Sequence, residues 1–435
     1  MNKFINIVFF FLFPVISFGQ INRGGNPFSF HDAAFHPEVI CLPDGDLKSL
    51  KNKMFDDYRI NNGKKLLHFA IEKKVNIHPS NSGTWYHTNS GYLWRVAIHS
   101  EDAYAMNVLF DTFRLNQNAR VFIFDPQQKS VLGGFTHLNN KSHFSLTTNY
   151  LPGDEIIIEL QVTDTINYGS LSINRIGHAF IDIYSIEGKK DGRFGLSGNC
   201  NIDINCLEGS DWQVIKRSVC RIQVSTGVFC TGTLINNTEF DGKPLLFTAN
   251  HCIDNNNKAN NSVFVFEYES PECNGPDGSV LKSISSAELI ATSDSLDFSL
   301  LKLSEEIPEN YGPYFAGWSV SEDNPLNTTT IHHPQGDVKK ISKDNDPALI
   351  EYQVIDPPSW LEKGSVSQAF WRIERWDLGT TEFGSSGCPL FNQSKLIVGN
   401  LTGGDANCSN PVNDYFSKFF MCWDYYDKPE LQLKH

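Results

Sequence analysis

The sequence predicts an all-β protein with more than one domain, on three observations. Short segments that alternate apolar and polar residues, or run apolar for a few positions, recur between turn-forming residues, which is typical of strands. Amphipathic helix patterns are scarce, whereas Gly, Asn and Thr are plentiful. A chain of 435 residues, 40% hydrophobic and 12% aromatic, is long enough to form two or three well-packed domains.

The first twenty residues have the pattern of a secretory signal. One lysine, Lys3, precedes an unbroken apolar run from Ile7 to Ile16, and the small residues Ser17 and Gly19 suit a cleavage site. The run is short for a full membrane span, although an N-terminal anchor is the alternative interpretation. We therefore expect residues 1–19 to be removed and the remaining protein to be exported, with no membrane association after removal.

Two regions follow this segment. The first, residues 20–194, contains a candidate amphipathic helix within residues 46–66 and then, over about 84–184, the strand patterns "YLWRVAIHS", "ARVFIFD" and "DEIIIELQV", which predict a β-sandwich. A Gly-rich basic segment, "SIEGKKDGRFGLSGN" at 185–199, predicts an exposed and cleavable linker. The second region, residues 195–435, is again rich in short strands and predicts a sandwich or barrel.

The ten cysteines are concentrated in the second region, where nine of them lie after residue 199. Disulfides persist in exported proteins, and the spacing lacks the Cys-x-x-Cys pairs of a zinc site, so we expect a disulfide-stabilised domain. The acidic residues lack the spacing of a calcium-binding loop, and we expect no cofactor or metal. The net charge of -14 argues against a nucleic-acid partner, which would require a basic face.

Three separate segments together carry the residue types of a serine hydrolase. "LLFTANHC" places His251 at the end of an apolar strand, "SDSLDFSLLKL" places Asp297 at the start of another, and "FGSSGCP" places Ser386 in a Gly-rich turn. Such an enzyme needs a hydroxyl nucleophile, an imidazole base and a carboxylate that orients the imidazole. Each segment alone is equally compatible with an ordinary turn or strand end. Their combination in the order His, Asp, Ser predicts hydrolysis.

These segments resemble the motifs around the active-site residues of chymotrypsin-fold serine proteases, and in particular those of the lysyl endopeptidase family, a group of secreted bacterial proteases. "CNIDINCLEG" at 200–209, "FAGWS" at 315–319 and "IHHPQGDVKKIS" at 331–342 resemble that family specifically. The resemblance extends from about residue 195 to the C-terminus and implies a double β-barrel of the chymotrypsin type. It also implies a C-terminal helix, within which "PELQLKH" at 429–435 would lie. The region before residue 195 resembles the family's long propeptide.

The resemblance implies a role for each of the candidate residues. Ser386 would be the nucleophile, His251 the general base and then acid, and Asp297 the carboxylate that orients the imidazole. The backbone N–H groups of Gly384 and Ser386 would bind the oxyanion of a tetrahedral intermediate.

The resemblance also implies a disulfide framework. Its pairs would be Cys200–Cys408, Cys206–Cys273 and Cys230–Cys252. Cys220, Cys388 and Cys422 fall outside this pattern. Two of these are expected to pair, Cys220 with either Cys388 or Cys422, which would leave one thiol free.

Ser385 bears on activation. Animal trypsin-like enzymes carry an aspartate in this position, and it binds the new N-terminal ammonium group once the zymogen is cut; a neutral serine cannot form that ion pair. Activation is therefore expected to depend on folding with the N-terminal region and on its release. A cut after Arg193 or Lys190 would make self-processing possible. A permanent N-terminal accessory domain is the alternative.

Substrate preference rests on a further carboxylate. A basic side chain beside the scissile bond needs a negative partner, because a buried unpaired charge is costly. Thr380 occupies the position of trypsin's aspartate and is not acidic. The family carries its aspartate in a later segment, here "NDYFSKFF", so the resemblance implies Asp414, with a solvated turn as the alternative. Thr402, beside Gly403 in the substrate-binding strand, stands where the family has a histidine and is expected to relax discrimination between Lys and Arg.

We therefore expect a secreted serine endopeptidase, extracellular or periplasmic, made as a proenzyme and cutting after Lys or after both Lys and Arg. Its expected partners are protein or peptide substrates and its own propeptide, and it is expected to be a monomer. One alternative is a protease of the same fold with acidic or broad specificity, in which His332 and His333 contact the substrate, although "HHP" is more typical of a structural loop. Another is an exported binding protein with an inactive protease domain.

Overall fold

The computed structural model describes residues 18–19, 22–28, 37–43, 64–164, 167–184, 197–350 and 366–435. The predicted signal peptide up to residue 17, the candidate helix up to residue 63 and most of the predicted linker, 185–196, lie outside these ranges. Within them, strands dominate and helices are short, so the predicted all-β class is confirmed. None of the helices in these ranges has both the length and the apolar character needed to span a bilayer.

The first region contributes thirteen described strands. They are β1 (Phe18–Gly19), β2 (Glu38–Cys41), β3 (Leu67–His68), β4 (Ala70–Ile77), β5 (Thr84–Thr88), β6 (Gly91–His99), β7 (Ala105–Leu115), β8 (Ala119–Phe124), β9 (Val131–Phe135), β10 (Leu146–Thr147), β11 (Leu151–Pro152), β12 (Glu155–Val162) and β13 (Gly169–Ala179).

These strands build two facing sheets. One has the order β1-β9-β8-β12-β6-β2 with β5 beside β6, and the other has the order β10-β7-β13-β4 with β11 beside β7. Strand β6 shows why they face each other: Trp94, Val96 and Ile98 lie two positions apart and enter one core with Phe110 and Phe113 of β7. Burying each such side chain contributes roughly 1.5–3 kcal/mol.

The sandwich extends beyond the predicted range of about 84–184, since β1, β2 and β4 precede residue 84 and pair within its two sheets. The sequence of β4, "AIEKKVNI", contains charged residues because this strand lies at a sheet edge and only one of its faces is well buried. The candidate helix is wrong for its described part. Residues 64–66 precede β3 without helical structure, and Lys64 forms an antiparallel bridge with Gly403.

The second region contributes fifteen described strands. They are β14 (Ile202–Asp203), β15 (Val219–Val224), β16 (Val228–Leu234), β17 (Leu245–Thr248), β18 (Val263–Phe266), β19 (Ser283–Ser285), β20 (Ala287–Ser293), β21 (Phe298–Leu303), β22 (Thr328–His332), β23 (Lys340–Asp344), β24 (Leu349–Ile350), β25 (Phe370–Arg375), β26 (Pro389–Asn392), β27 (Ile397–Gly404) and β28 (Val412–Lys418).

They form two antiparallel sheets of eight strands each, the two halves of the double-barrel fold. The amino-terminal sheet has the order β19-β18-β15-β16-β17-β21-β20, and β3 of the first region joins it beside β16. The carboxy-terminal sheet has the order β14-β23-β22-β26-β27-β28-β25-β24. Phe247 of β17 packs near Phe419, so the two sheets share part of one core.

The helices are short and lie outside the sheets. Two are α-helices, Asn256–Asn260 and Phe419–Asp424, and the six described 3-10 turns are His137–Asn139, Leu207–Trp212, Ile215–Ser218, Glu309–Tyr311, Pro334–Gly336 and Pro429–Leu431. The prediction that residues 429–435 lie within a helix is wrong. The α-helix ends at Asp424, and Pro429, which cannot donate a backbone hydrogen bond, starts a separate turn.

The disulfides are the three that the resemblance implies: Cys200–Cys408, Cys206–Cys273 and Cys230–Cys252. The expected pairing of Cys220 with Cys388 or Cys422 is wrong, since all three are free and buried. Each belongs to a different hydrophobic cluster, which keeps the three sulfur atoms apart. Cys41 is the fourth free cysteine and is exposed.

Candidate active site

His251 and Asp297 lie together where two strands of the amino-terminal sheet begin and end. His251 follows β17, and the neighbouring Cys252 is bonded to Cys230 of β16, which fixes the histidine turn to the sheet. Asp297 directly precedes β21 and adopts a left-handed backbone with φ of 47°, a conformation that aspartate tolerates better than most residues. Its side chain therefore turns back toward the histidine turn.

The contact between these two side chains is close and buried. The Nδ1 atom of His251 lies 2.9 Å from Oδ1 and 2.8 Å from Oδ2 of Asp297, and the backbone N–H of His251 donates to Oδ1 at 3.0 Å. Both side chains are only 4% exposed. With Nδ1 donating to the carboxylate, Nε2 is left as the acceptor, and it has no hydrogen-bond partner among the described residues.

Ser386 lies in a turn that needs two glycines. Gly384 has a φ of 90° and Gly387 a φ of 80°, and a Cβ atom at Gly384 would come within 2.9 Å of the His333 carbonyl oxygen. The turn is tied to both sheets, since Thr231 N–H donates to the Ser386 carbonyl at 2.8 Å and Gly387 N–H donates to Leu401 at 2.8 Å. Ser386 Oγ is buried and, within the described ranges, makes no hydrogen bond.

A buried imidazole supports this turn from behind. Glu382 N–H donates to Ser385 Oγ at 3.2 Å, and Ser385 Oγ lies 2.8 Å from Nδ1 of His332. Nε2 of His332 lies 3.1 Å from Ser342 Oγ, which donates to the Thr380 carbonyl. Burial, with the nearby charges of Lys65 and Lys340, lowers the pKa of His332 to about 3. The lowered pKa favours the neutral imidazole, so a chain of uncharged groups supports the turn around Ser385.

A candidate specificity pocket, formed by Asp414, Trp376, Thr381 and Ala406, is completely buried around its carboxylate. Asp414 Oδ2 accepts hydrogen bonds from Trp376 Nε1 at 2.7 Å and from Thr381 Oγ1 at 2.6 Å. Asp414 is 0% exposed, so the alternative interpretation of a solvated turn is wrong.

The three other residues considered for specificity differ in what they contact. Gly403 pairs with Tyr415 in the ladder of β27 and β28 and forms the bridge to Lys64. Thr402 is 2% exposed, and its Oγ1 has no hydrogen-bond partner in the described part of the chain. Thr380 is buried and contributes its carbonyl oxygen to the Ser342 hydroxyl.

His332 and His333 are not placed to contact an acidic substrate. Both are 0% exposed, and His333 Nδ1 donates to the backbone carbonyl of Asp337 at 2.9 Å. Burial also lowers the pKa of His333 well below its ordinary value. These residues hold the loop after β22 in place, and the specificity alternative built on them loses its support.

A lysine from the first region fills the pocket. Lys65 Nζ lies 2.6 Å from Asp414 Oδ1 and donates to the carbonyl oxygens of Ala406 and Thr381 at 2.9 and 3.1 Å. The carbonyl oxygen of the same lysine accepts a hydrogen bond of 2.7 Å from Gly384 N–H.

Sequence reasoning missed three contributors: Lys65, Trp376 and Asn400, whose side-chain amide donates to the Asp297 carbonyl at 3.1 Å. No local pattern marks a tryptophan or an asparagine as the neighbour of a distant carboxylate. Lys65 is one of 36 basic residues and lies next to another lysine, so only its position in space distinguishes it. Among the described residues there is no group of three or more His, Cys, Asp or Glu side chains that would hold a metal ion.

Comparisons with known proteins give similar sequences for the second region. A family model described as the lysyl endopeptidase C-terminal domain matches residues 194–417. The chain is similar to the lysyl endopeptidase of Pseudomonas aeruginosa, with 29% identity over 292 residues, which are 62% of this chain and 60% of that protein. It thus spans less than two thirds of the length of this relative.

Solved structures are also similar over part of the chain. A thermostable serine protease from an extremophilic microorganism has a TM-score of 0.35 and 16% identity, covering 47% of this chain and 92% of its own. A Mycobacterium tuberculosis protease in its active form has a TM-score of 0.32 and 17% identity, covering 50% of this chain and 82% of its own. The family model covers just over half of the chain, and on that match the protein belongs to the lysyl endopeptidase family.

Proposed function

We propose that this protein is a serine endopeptidase that cuts peptide bonds on the carboxyl side of lysine. One observation carries the proposal: a lysine side chain reaches the buried carboxylate of Asp414 while its own carbonyl oxygen accepts a hydrogen bond from Gly384 N–H. A substrate residue next to a scissile bond must satisfy both contacts at once, because its side chain is recognised and its carbonyl carbon is attacked.

The proposed reaction assigns one step to each side chain. Ser386 Oγ attacks the carbonyl carbon, and His251 Nε2 accepts the serine proton and then delivers it to the leaving amine. Asp297 holds Nδ1–H of the imidazole, which fixes the tautomer and stabilises the positive charge that forms. Gly384 N–H, with the N–H of Ser386, stabilises the oxyanion, and one such donor contributes about 3 kcal/mol. Water then hydrolyses the acyl-enzyme.

The preference for lysine follows from charge and hydrogen bonding in the specificity pocket. The Asp414 carboxylate pairs with an ammonium group, and the carbonyls of Ala406 and Thr381 accept two further N–H bonds from it. An ammonium group carries three donors, and this pocket offers acceptors for all of them. An acidic side chain would be repelled by Asp414, and none of the described residues of the second region places a cationic group on that carboxylate.

We further propose that the protein is exported and made as a proenzyme, as its sequence predicts. The three disulfides suit an oxidising compartment. The linker residues Lys190 and Arg193 supply basic sites at which a lysine- or arginine-directed enzyme would separate the two regions.

The proposal is tested on the full chain after incubation that permits processing. A fluorophosphonate probe is expected to label Ser386, and a peptide library is expected to be cut after Lys, with Arg accepted to a smaller extent. Ser386→Ala should abolish both labelling and cleavage, whereas Ser394→Ala, at an exposed serine eight positions later, should change neither. Cleavage that persists in Ser386→Ala would contradict the proposed mechanism, and cuts after Glu or Asp would contradict the proposed specificity.

A further inference from the structure

Residues 64–70, which we call the cleft segment, cross the active site in one extended run. Lys64 forms an antiparallel bridge with Gly403 of the carboxy-terminal sheet. Leu67 and His68, only a few positions later, pair antiparallel with Phe229 and Val228 of the amino-terminal sheet. The segment therefore adds a strand to each half of the protease region, which is a recurring mode of binding for extended peptides.

Lys65 is the second residue of this run and is deeply buried. Its side chain is 4% exposed, and that of its partner Asp414 is 0% exposed. A buried ammonium group without a partner would cost several kcal/mol, so the full set of acceptors around Nζ makes this a specific position for lysine. The contact joins the two regions across more than three hundred residues of sequence.

The peptide bond that follows Lys65 lies where the proposed chemistry takes place. Gly384 N–H holds the Lys65 carbonyl oxygen, and Ser386 is two residues from that donor. Ser386 Oγ and His251 Nε2 are both buried under this arrangement, and neither has a hydrogen-bond partner among the described residues. The nucleophile and the base required for attack on the Lys65 carbonyl carbon are thus both present and without competing hydrogen bonds among the described residues.

The residues after Lys65 are held independently of the pocket. The Phe69 ring stacks on the Phe229 ring with centroids 3.8 Å apart and planes 6° from parallel. Phe69 N–H donates to the Gly227 carbonyl at 2.9 Å, and the Arg221 guanidinium lies 4.5 Å from the centroid of the Phe229 ring. Residues 66–70 are therefore held in place on the amino-terminal sheet. This raises the effective concentration of Lys65 at the Asp414 pocket.

We propose that the cleft segment is a substrate of its own chain, and that the Lys65–Leu66 bond is cut in cis to open the active site. This deepens the proposed function and rests on it. Ser386 Oγ bonds to the Lys65 carbonyl carbon, and His251 carries the serine proton to the Leu66 nitrogen as the C–N bond breaks. Water then hydrolyses the ester, which leaves a carboxylate on Lys65 and a new amino terminus at Leu66. Before this cut, the segment excludes other substrates.

This cut differs in effect from one in the linker. A cut after Lys190 or Arg193 separates the two regions in sequence but leaves Lys65 bound to Asp414. A cut after Lys65 ends the covalent restraint on the pocket occupant, so that the lysine side chain can leave. Opening of the cleft and separation of the two regions therefore require cleavage of two different peptide bonds.

The test follows the new amino terminus in the full chain. Mass spectrometry of freshly folded protein is expected to find a fragment beginning Leu66-Leu67-His68, formed at a rate that does not depend on protein concentration. The fragment should be absent in Ser386→Ala and in Lys65→Gln, and it should form normally in Lys74→Gln, which changes an exposed lysine of the same region. A protein that cuts lysyl peptides added in trans yet never produces the Leu66 terminus would overturn the inference.

A second measurement needs no cleavage and covers the case in which Lys65→Gln alters folding. In a Ser386→Ala background, a fluorescent peptide ending in lysine should bind at least about tenfold more tightly when Lys65 is Gln, since the internal competitor is removed. Lys74→Gln should leave this affinity unchanged. Equal affinity in all three proteins would also overturn the inference. Failure of the proposed function is a separate result: no variant would then cut lysyl peptides or take up the fluorophosphonate.

Discussion

The two halves of the active site each bury one carboxylate, and they satisfy it in different ways. In the amino-terminal half, Asp297 is 3% exposed and is bound by two groups of a single residue, the backbone N–H and the imidazole of His251. In the carboxy-terminal half, Asp414 is 0% exposed and is bound by Trp376 and Thr381, and among the described residues its cationic partner is Lys65 of the first region. The Asp297 carboxylate is paired by a residue of its own half, whereas the Asp414 carboxylate is paired only when a cation from outside that half binds it.

In the proposed mechanism, the Asp297 carboxylate acts in catalysis and the Asp414 carboxylate acts in substrate recognition. A carboxylate paired to a histidine of its own sheet keeps that histidine in one orientation whether or not a substrate is present. A carboxylate that still needs a cation binds whichever chain supplies one. Substitutions in the two halves should therefore affect different kinetic constants.

The largest effect is expected at Asp297. Asp297→Asn should lower kcat by about four orders of magnitude, because the amide favours the wrong tautomer of His251 and cannot stabilise its charged form. KM for a lysyl peptide should change little. Steady-state kinetics on a lysyl reporter peptide measures both constants, and Asp294→Asn, at an exposed position in the same turn, is the control. If kcat is unchanged while KM rises, Asp297 acts in substrate recognition and the assignment of catalysis to its half is wrong.

A smaller effect of a different kind is expected at Asp414. Asp414→Asn leaves a substrate ammonium group buried without a negative partner, at a cost of about 3 kcal/mol, so kcat/KM for lysyl peptides should fall by roughly a hundredfold. Peptides with a neutral residue before the scissile bond should be affected far less. The exposed Asp427 lies thirteen positions later, and Asp427→Asn should leave the selectivity unchanged. Equal losses on charged and neutral peptides would place Asp414 outside recognition.

The smallest effect concerns stability and comes from the buried imidazole of His332. Burial lowers the pKa of His332 from 6.5 to about 3, so as the pH falls the unfolded chain takes up a proton before the folded chain does. This histidine is therefore expected to reduce the free energy of unfolding by about 1.4 kcal/mol for each pH unit between about 6 and 4. Denaturant unfolding of His332→Asn should show a correspondingly shallower slope, whereas His87→Asn, at an exposed site, should keep the wild-type slope.

The residues of the site that lie in recognisable local sequence patterns could be predicted from the sequence. His251, Asp297 and Ser386 each lie beside a strand with a recognisable apolar pattern, and the disulfides followed from the resemblance of the same blocks. The all-β class was predictable because both regions repeat short strands between turn residues. Asp414 was reached through resemblance, although its complete burial was not.

Contacts between distant, individually ordinary residues could not be predicted. Lys65 was assigned to a candidate helix because lysine and leucine suit an amphipathic pattern, yet the buried Asp414 and the exposed edge of β16 hold it extended. Cys220, Cys388 and Cys422 were expected to include a pair because they were left over. The packing of the whole domain places each of these cysteines in a different hydrophobic cluster. The residues next to each cysteine in sequence do not reveal that placement.

The Cys200–Cys408 disulfide fastens the start of the protease region two residues after Ala406 of the candidate specificity pocket, and Gly198 N–H donates to Glu382 in the adjoining turn at 2.9 Å. If the proposed release of the N-terminal region takes place, these two contacts would hold the start of the protease region in place without an ion pair at its first residue. Imprecise trimming at several bonds between residues 185 and 196 should give products that are equally competent.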